Sequence, residues 1–161
     1  MKLIKIISGG QTGVDRAALD AAIICNYPYG GSIPKGRRAE DGIIDFKYRN
    51  LVELESSDYI TRTEKNVKDA DATLIINMGM LEGGTAQTYE FVLKYNKPCL
   101  IVNIDIDKNA VQSILNWIRS VNPAVLNVAG PRESKCPGIY QKTFNILVKV
   151  LKNYNINEHN L

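Results

Sequence analysis

The chain has 161 residues, is 45% hydrophobic and carries a formal net charge of +3. That length suits one domain around one core, and the composition excludes a disordered chain. No apolar run approaches the roughly 20 residues that span a bilayer, a charge of +3 is too small to argue for nucleic acid, and 7% aromatics leave little for a base-stacking platform.

The opening MKLIKIISGG is too short and too interrupted for a secretory signal and reads as a first strand, Leu3–Ile7. Then comes SGGQTGVDRAALDAA, Ser8 to Ala22, in which Val14, Ala18, Ala21 or Ala22, and Cys25 recur at helical spacing. Asn26 to Tyr59 shows little clean periodicity and reads as a long irregular, functional segment. A short helix follows from Arg62 to Ala70, with Thr61 as its N-cap and Glu64 three residues on.

Ala72–Ile76, Cys99–Ile104 and Ala124–Val128 are short, apolar and β-branched, as strands covered on both faces are. Helices are expected over Thr85 to Tyr95, Asn109 to Val121 and Ile139 to Leu151, the last packing Ile139, Phe144, Leu147, Val148 and Leu151 inward. Alternating strands and helices predict a single α/β, Rossmann-like doubly wound domain over residues 1–152, its mainly parallel sheet covered by helices on both faces, with a frayed tail over 153–161.

In such a sheet ligands bind beyond the carboxyl ends of the strands. SGGQTGVDR follows the first strand, NMGMLEGGTAQT the second and AGPRESKCPG the fourth, and all three should converge on one edge. Gly9, Gly10 and Gly13 allow close backbone approach, and the N–H groups opening the next helix suit a phosphate or similar oxyanion. Gln11 and Thr12 add an amide and a hydroxyl. The alternative is that Thr12 caps the helix and Asp15 completes a capping box, its charge opposing an anion unless Arg16 offsets it. The loop is neither the dinucleotide fingerprint nor a Walker loop.

Gly83, Gly84 and Thr85 repeat the pattern, with Thr88 one turn on from Thr85. The two helix starts together predict an anion cleft, although a tight turn capped by Thr85 would look the same. Positive charge comes from Arg37 and Arg38, near Glu40 and Asp41, and from Arg62 and Arg132. Arginine forks bind two oxygens of an oxyanion, but a charge run is also what a solvated loop looks like.

Cys25, Cys99 and Cys136 are far apart and read as reduced, mostly buried thiols of a cytoplasmic protein. The single histidine, His159, lies in the polar tail NINEHNL, so no protein-ligated metal is expected, nor a Ser-His or Cys-His nucleophile.

SGGQTGVDRAALDAA, PKGRRAEDG, RTEKNVKDADATLI, EGGTAQT and NVAGPRESKCPGIY, in that order from about Ile7 to Tyr140, resemble the putative molybdenum carrier family. That family is grouped with Rossmann-like proteins that include the lysine-decarboxylase-like phosphoribohydrolases and the DNA-processing protein. The resemblance implies a nucleotide or pterin-nucleotide pocket at the strand ends. The family's name implies the molybdenum cofactor as a ligand, and the related families imply a homo-oligomer. The phosphoribohydrolases carry PGGxGTxxE, whose glutamate assists cleavage of the sugar–base bond. Here Thr88 occupies that glutamate's position, and Glu90 is rotated away from the ligand side.

The first expectation is therefore binding of a phosphorylated small molecule, a nucleotide or the molybdenum cofactor, by Gly9, Gly10, Gln11, Thr12, Gly13, Gly83, Gly84, Thr85 and Thr88 with Arg16, Arg37, Arg38 and Arg62. The alternative is a hydrolase acting on a nucleotide N-glycosidic or phosphate bond. It would need a carboxylate from Glu40 or Asp41, the best candidates, or from Asp15.

Overall fold

A computed structural model describes residues 4–158; Leu3, the tail residues 159–161 and with them His159 lie outside the described residues. In chain order the elements are β1 (Lys5–Ile7), α1 (Val14–Ile24), β2 (Tyr29–Ile33), β3 (Arg38–Ala39), β4 (Gly42–Ile43), β5 (Leu51–Glu53), α2 (Tyr59–Asp69), β6 (Ala72–Asn77), α3 (Gly83–Lys94), β7 (Cys99–Asn103), α4 (Ala110–Val121), β8 (Val125–Ala129) and α5 (Ile139–Glu158). Six strands form one parallel sheet in the order β5-β2-β1-β8-β6-β7, and β3 and β4 form a small antiparallel ribbon. The α/β Rossmann-like expectation holds.

The segment from Asn26 to Tyr59 departs from its expected irregularity. It supplies β2 and the edge strand β5 as well as the ribbon. Tyr29–Ile33 reads YGGSI and Leu51–Glu53 has three residues, so glycine and brevity hide both strands from a pattern of apolar alternation. Leu19, Ile33, Ala39, Ile44, Tyr48 and Leu51 bury together and lock this segment onto α1.

The main core gathers Ile6, Leu74, Ile76, Ile114, Ile118, Leu126 and Leu147, where α1, α4 and α5 pack on the sheet and on one another. α2 packs against α3, and Ile75, alternating with Leu74 and Ile76, points to the opposite face. All six residues of β6 are buried, as befits a strand flanked on both sides and covered on both faces. Asn26, Asn96 and Asn122 take positive φ just past or at the ends of α1, α3 and α4, the left-handed turn that asparagine tolerates and that stops a helix.

Two helix boundaries differ from the expectation. α2 begins at Tyr59, with Asp58 at its cap position, and the Thr61 hydroxyl bonds to the Ser56 hydroxyl instead of capping. α5 runs on through the supposedly frayed tail to Glu158, because Tyr154 is buried against the main core. No helix among the described residues is long and apolar enough to cross a membrane.

Candidate functional site

A cleft of about 260 Å³ opens at the carboxyl ends of β1, β6 and β8. Asn77 at the end of β6 and Asn127 in β8 form part of its wall with Gly9 and Gln11. Gly84, Thr85 and Thr88 enter from α3, Asp15 from α1, Arg62 from α2, and Arg132, Lys135 and Cys136 from the loop after β8. Three expected loops thus converge, the third contributing more than Arg132 alone.

The two helix starts are not equivalent. At α1 the Val14 N–H donates to the Pro131 carbonyl at 3.2 Å and the Arg16 N–H to the Gln11 carbonyl at 3.0 Å. Gly13 precedes the helix at φ 79°, ψ −128°, a conformation essentially confined to glycine, and a Cβ there would collide with the backbone of Pro131 and Arg132. The α1 start is sealed by the β8 loop, which corrects the symmetric two-helix cleft. Gly13 and Gly10 serve packing, the latter at φ 72° against Ile33 and Ile44, whereas Gly9 stays on the cleft wall.

Thr12 does not cap α1. Its hydroxyl bonds to the Glu40 carboxylate and accepts the Glu133 N–H at 3.1 Å. Asp15 does reach back, accepting the Gln11 N–H at 3.3 Å.

At α3 the N–H groups of Thr85 and Ala86 bond to the Glu82 carbonyl, whereas those of Gly83 and Gly84 donate to no group among the described residues. Glu82 makes no side-chain cap. The Thr88 hydroxyl donates to the Gly84 carbonyl at 2.9 Å. Nothing crowds Gly84, so this end stays open to a ligand.

Several expected residues stand elsewhere. Arg16 forks onto Asp41, at 2.7 and 3.2 Å, and onto the Gly10 carbonyl at 3.0 Å. Arg37 donates to the carbonyls of Ile44, Asp45 and Tyr48 and so braces the β3–β4 ribbon. Neither lines the cleft, and nor do Gly10, Thr12, Gly13, Gly83 or Arg38. Glu40 ties Thr12 to Ser134, and although burial acts the other way, these hydrogen bonds hold its carboxyl below the usual range. Asp41 is held low by the Arg16 guanidinium. The favoured hydrolytic carboxylates therefore lie outside the cleft, paired and ionised.

Asp15 is the carboxylate that does line it. Only 8% exposed, it is pushed up to about 6 by burial, against the opposing pull of Arg62 and the Gln11 N–H. Arg62 is 6% exposed, donates to the Gly9 carbonyl at 2.6 Å and stands 3.9 Å from Asp15. Burial lowers the Arg62 pKa while the Asp15 charge raises it. Gln11 accepts N–H bonds from Thr12 and Glu40.

Sequence reasoning undervalued Asp15 and passed over Asn77, Asn127 and Lys135. The asparagines had a signal, since Asn77 directly follows the apolar run Leu74–Ile76 and Asn127 interrupts the apolar β8. Cys25, Cys99 and Cys136 are free and half-buried. No cluster of metal-ligating side chains occurs among the described residues.

The profile of the circularly permutated YpsA SLOG family matches residues 6–151. A crystal structure of a putative molybdenum carrier protein from Syntrophus aciditrophicus SB is 51% identical, with a TM-score of 0.88, over 93% of this chain and 95% of that one. (E)-4-Hydroxy-3-methyl-but-2-enyl diphosphate reductase matches at 12% identity and a TM-score of 0.38, over 91% of this chain and 59% of that one, a likeness too weak to bear on the site. No curated protein matches.

Proposed function

Since this chain belongs to the circularly permutated YpsA SLOG family, we propose that its cleft binds a phosphorylated small molecule, a nucleotide or the molybdenum cofactor. The observation that carries this reading is the open start of α3. Two unengaged N–H groups, at Gly83 and Gly84, begin a helix at the rim of a cleft that Arg62, Arg132 and Lys135 line. A helix start of this kind carries about half a positive charge and donors aimed at an incoming oxyanion.

The relative described as a molybdenum carrier supports the cofactor as cargo. Its phosphate would be held by the α3 start, with no protein ligand to the metal. At about 260 Å³ the cleft lies just under the roughly 300–1,000 Å³ of small-molecule sites, so it takes the anionic end of a ligand and leaves the rest near the mouth. Native mass spectrometry with metal analysis, and calorimetry with nucleotides, test the reading. A purified protein that takes up neither at millimolar concentration would sink it. A cytoplasmic homo-oligomer belongs to the same reading, and light scattering checks its assembly.

A second reading, hydrolysis of a nucleotide N-glycosidic or phosphate bond, is favoured by Asp15. A carboxyl near 6, in a cleft beside oxyanion donors, can give or take a proton at neutral pH. Release of base or phosphate from a nucleotide panel, lost in Asp15→Asn and kept in Asp41→Asn, is the expected signature. Wild type without turnover leaves the carrier reading alone.

A further inference from the structure

Three arginines converge on one tyrosine at the rim of the cleft. The guanidinium carbons of Arg38, Arg62 and Arg132 lie 4.5, 5.1 and 5.5 Å from the centre of the Tyr59 ring. They arrive from β3, α2 and the loop after β8, so only the folded chain assembles them. A ring face attracts a cation, but three like charges around one ring repel one another and need an anion nearby.

The protein supplies little of that anion. The Glu40 carboxylate is 3.9 Å from Arg132 and the Asp15 carboxylate 3.9 Å from Arg62, both too long for hydrogen-bonded ion pairs. Arg38 forms no ion pair with any carboxylate among the described residues. The contrast with Arg16, bonded to Asp41 at 2.7 Å, is sharp. Although burial opposes it, Arg38 and Gln11 at the Tyr59 hydroxyl, with Arg132, lower that hydroxyl's pKa, the mark of a surplus of positive charge.

We infer that Arg38, Arg132 and Tyr59 form a second anion subsite at the cleft mouth, and that the ligand carries two phosphoryl groups, one at the α3 start and one here. Arg62 and Arg132 line the cleft while Arg38 and Tyr59 stand outside its lining, so the cluster straddles the rim where a ligand too large for the cleft emerges. The inference rests on the anion-binding reading of the cleft and names the class of ligand it takes.

Calorimetry at low salt with inorganic phosphate, pyrophosphate and ADP tests it on wild type, Arg38→Ala and Arg38→Lys. Arg38 is exposed, so both variants should fold, and circular dichroism checks that they do. Wild type is expected to prefer ADP and pyrophosphate to phosphate by about tenfold or more, the scale of one charge-assisted contact. Arg38→Ala should erase that preference without weakening phosphate, and Arg38→Lys should restore part of it. In wild type, ADP should also raise the pH at which a tyrosine ionises, read at 295 nm and absent in Tyr59→Phe.

Phosphate bound as tightly as ADP by wild type, or an ADP preference unchanged in Arg38→Ala, would overturn the second subsite alone. Wild type binding none of the three probes would overturn the anion cleft and the subsite together.

Discussion

Arg62 and Asp15 face each other at 3.9 Å on the wall of the cleft, both almost wholly buried, without closing into a hydrogen-bonded pair. Arg62 instead donates to the Gly9 carbonyl, and Asp15 accepts the Gln11 N–H. The carboxylate therefore keeps part of its burial cost, and its pKa stays up near 6.

That cost makes a prediction about pH. Asp15 rises from 3.8 to about 6 on folding, so between those values the native state holds more protons than the unfolded one. Its contribution to stability falls as pH rises through this window. Asp15→Asn cannot ionise. The melting temperature of the variant minus that of wild type should therefore increase from pH 4 to pH 7, by the equivalent of on the order of 2 kcal/mol. A flat difference across this range would count against the raised carboxyl.

Glu40 predicts the opposite slope. Its folded pKa is depressed, so its contribution is present above the unfolded value and is lost as pH falls through the folded one. Glu40→Gln should cost about 0.5–1 kcal/mol at pH 7, as expected for a partly exposed bridge between Thr12 and Ser134, and less at pH 3.5. Urea melts at the two pH values check it.

Gly13 and Gly84 should separate stability from binding. Gly13→Ala puts a side chain into the Pro131 carbonyl from a backbone conformation that only glycine adopts easily, and should cost at least about 2 kcal/mol. Gly84→Ala meets nothing among the described residues and, inside a helix, should stabilise by up to about 1 kcal/mol. The same methyl at the open helix start should weaken phosphate binding. Thermal melts and phosphate calorimetry on the two variants test the contrast.

The end of α5 is expected to matter. Tyr154 is 5% exposed in the main core. Tyr154→Ala should lower stability by on the order of 3 kcal/mol, as large-to-small core changes do. A change below about 0.5 kcal/mol would restore the frayed-tail expectation.

Apolar strands and helical spacing in the sequence were enough for β1, β6, β7 and β8, for the helices between them and for the parallel sheet, because burial on both faces writes itself as continuous apolar runs. The same pattern located the three loops of the cleft, since in a parallel sheet the strand ends share one edge. It could not show β2 and β5, whose glycines and brevity carry no periodic signal.

Nor could the sequence say which of two similar glycine turns stays open. SGGQTG and EGGTAQ both look like anion loops, yet the β8 loop packs onto the first, where the Pro131 carbonyl takes the Val14 N–H. Likewise Arg16, Arg37 and Arg38 are alike in sequence, and only their tertiary neighbours decide their roles. A carboxylate engages the first, three carbonyls engage the second, and the third lies over Tyr59 with no carboxylate paired to it among the described residues. A residue's chemistry is set by its type, but whether a charge or an N–H is free for a ligand depends on partners distant along the chain, and those are chosen by packing.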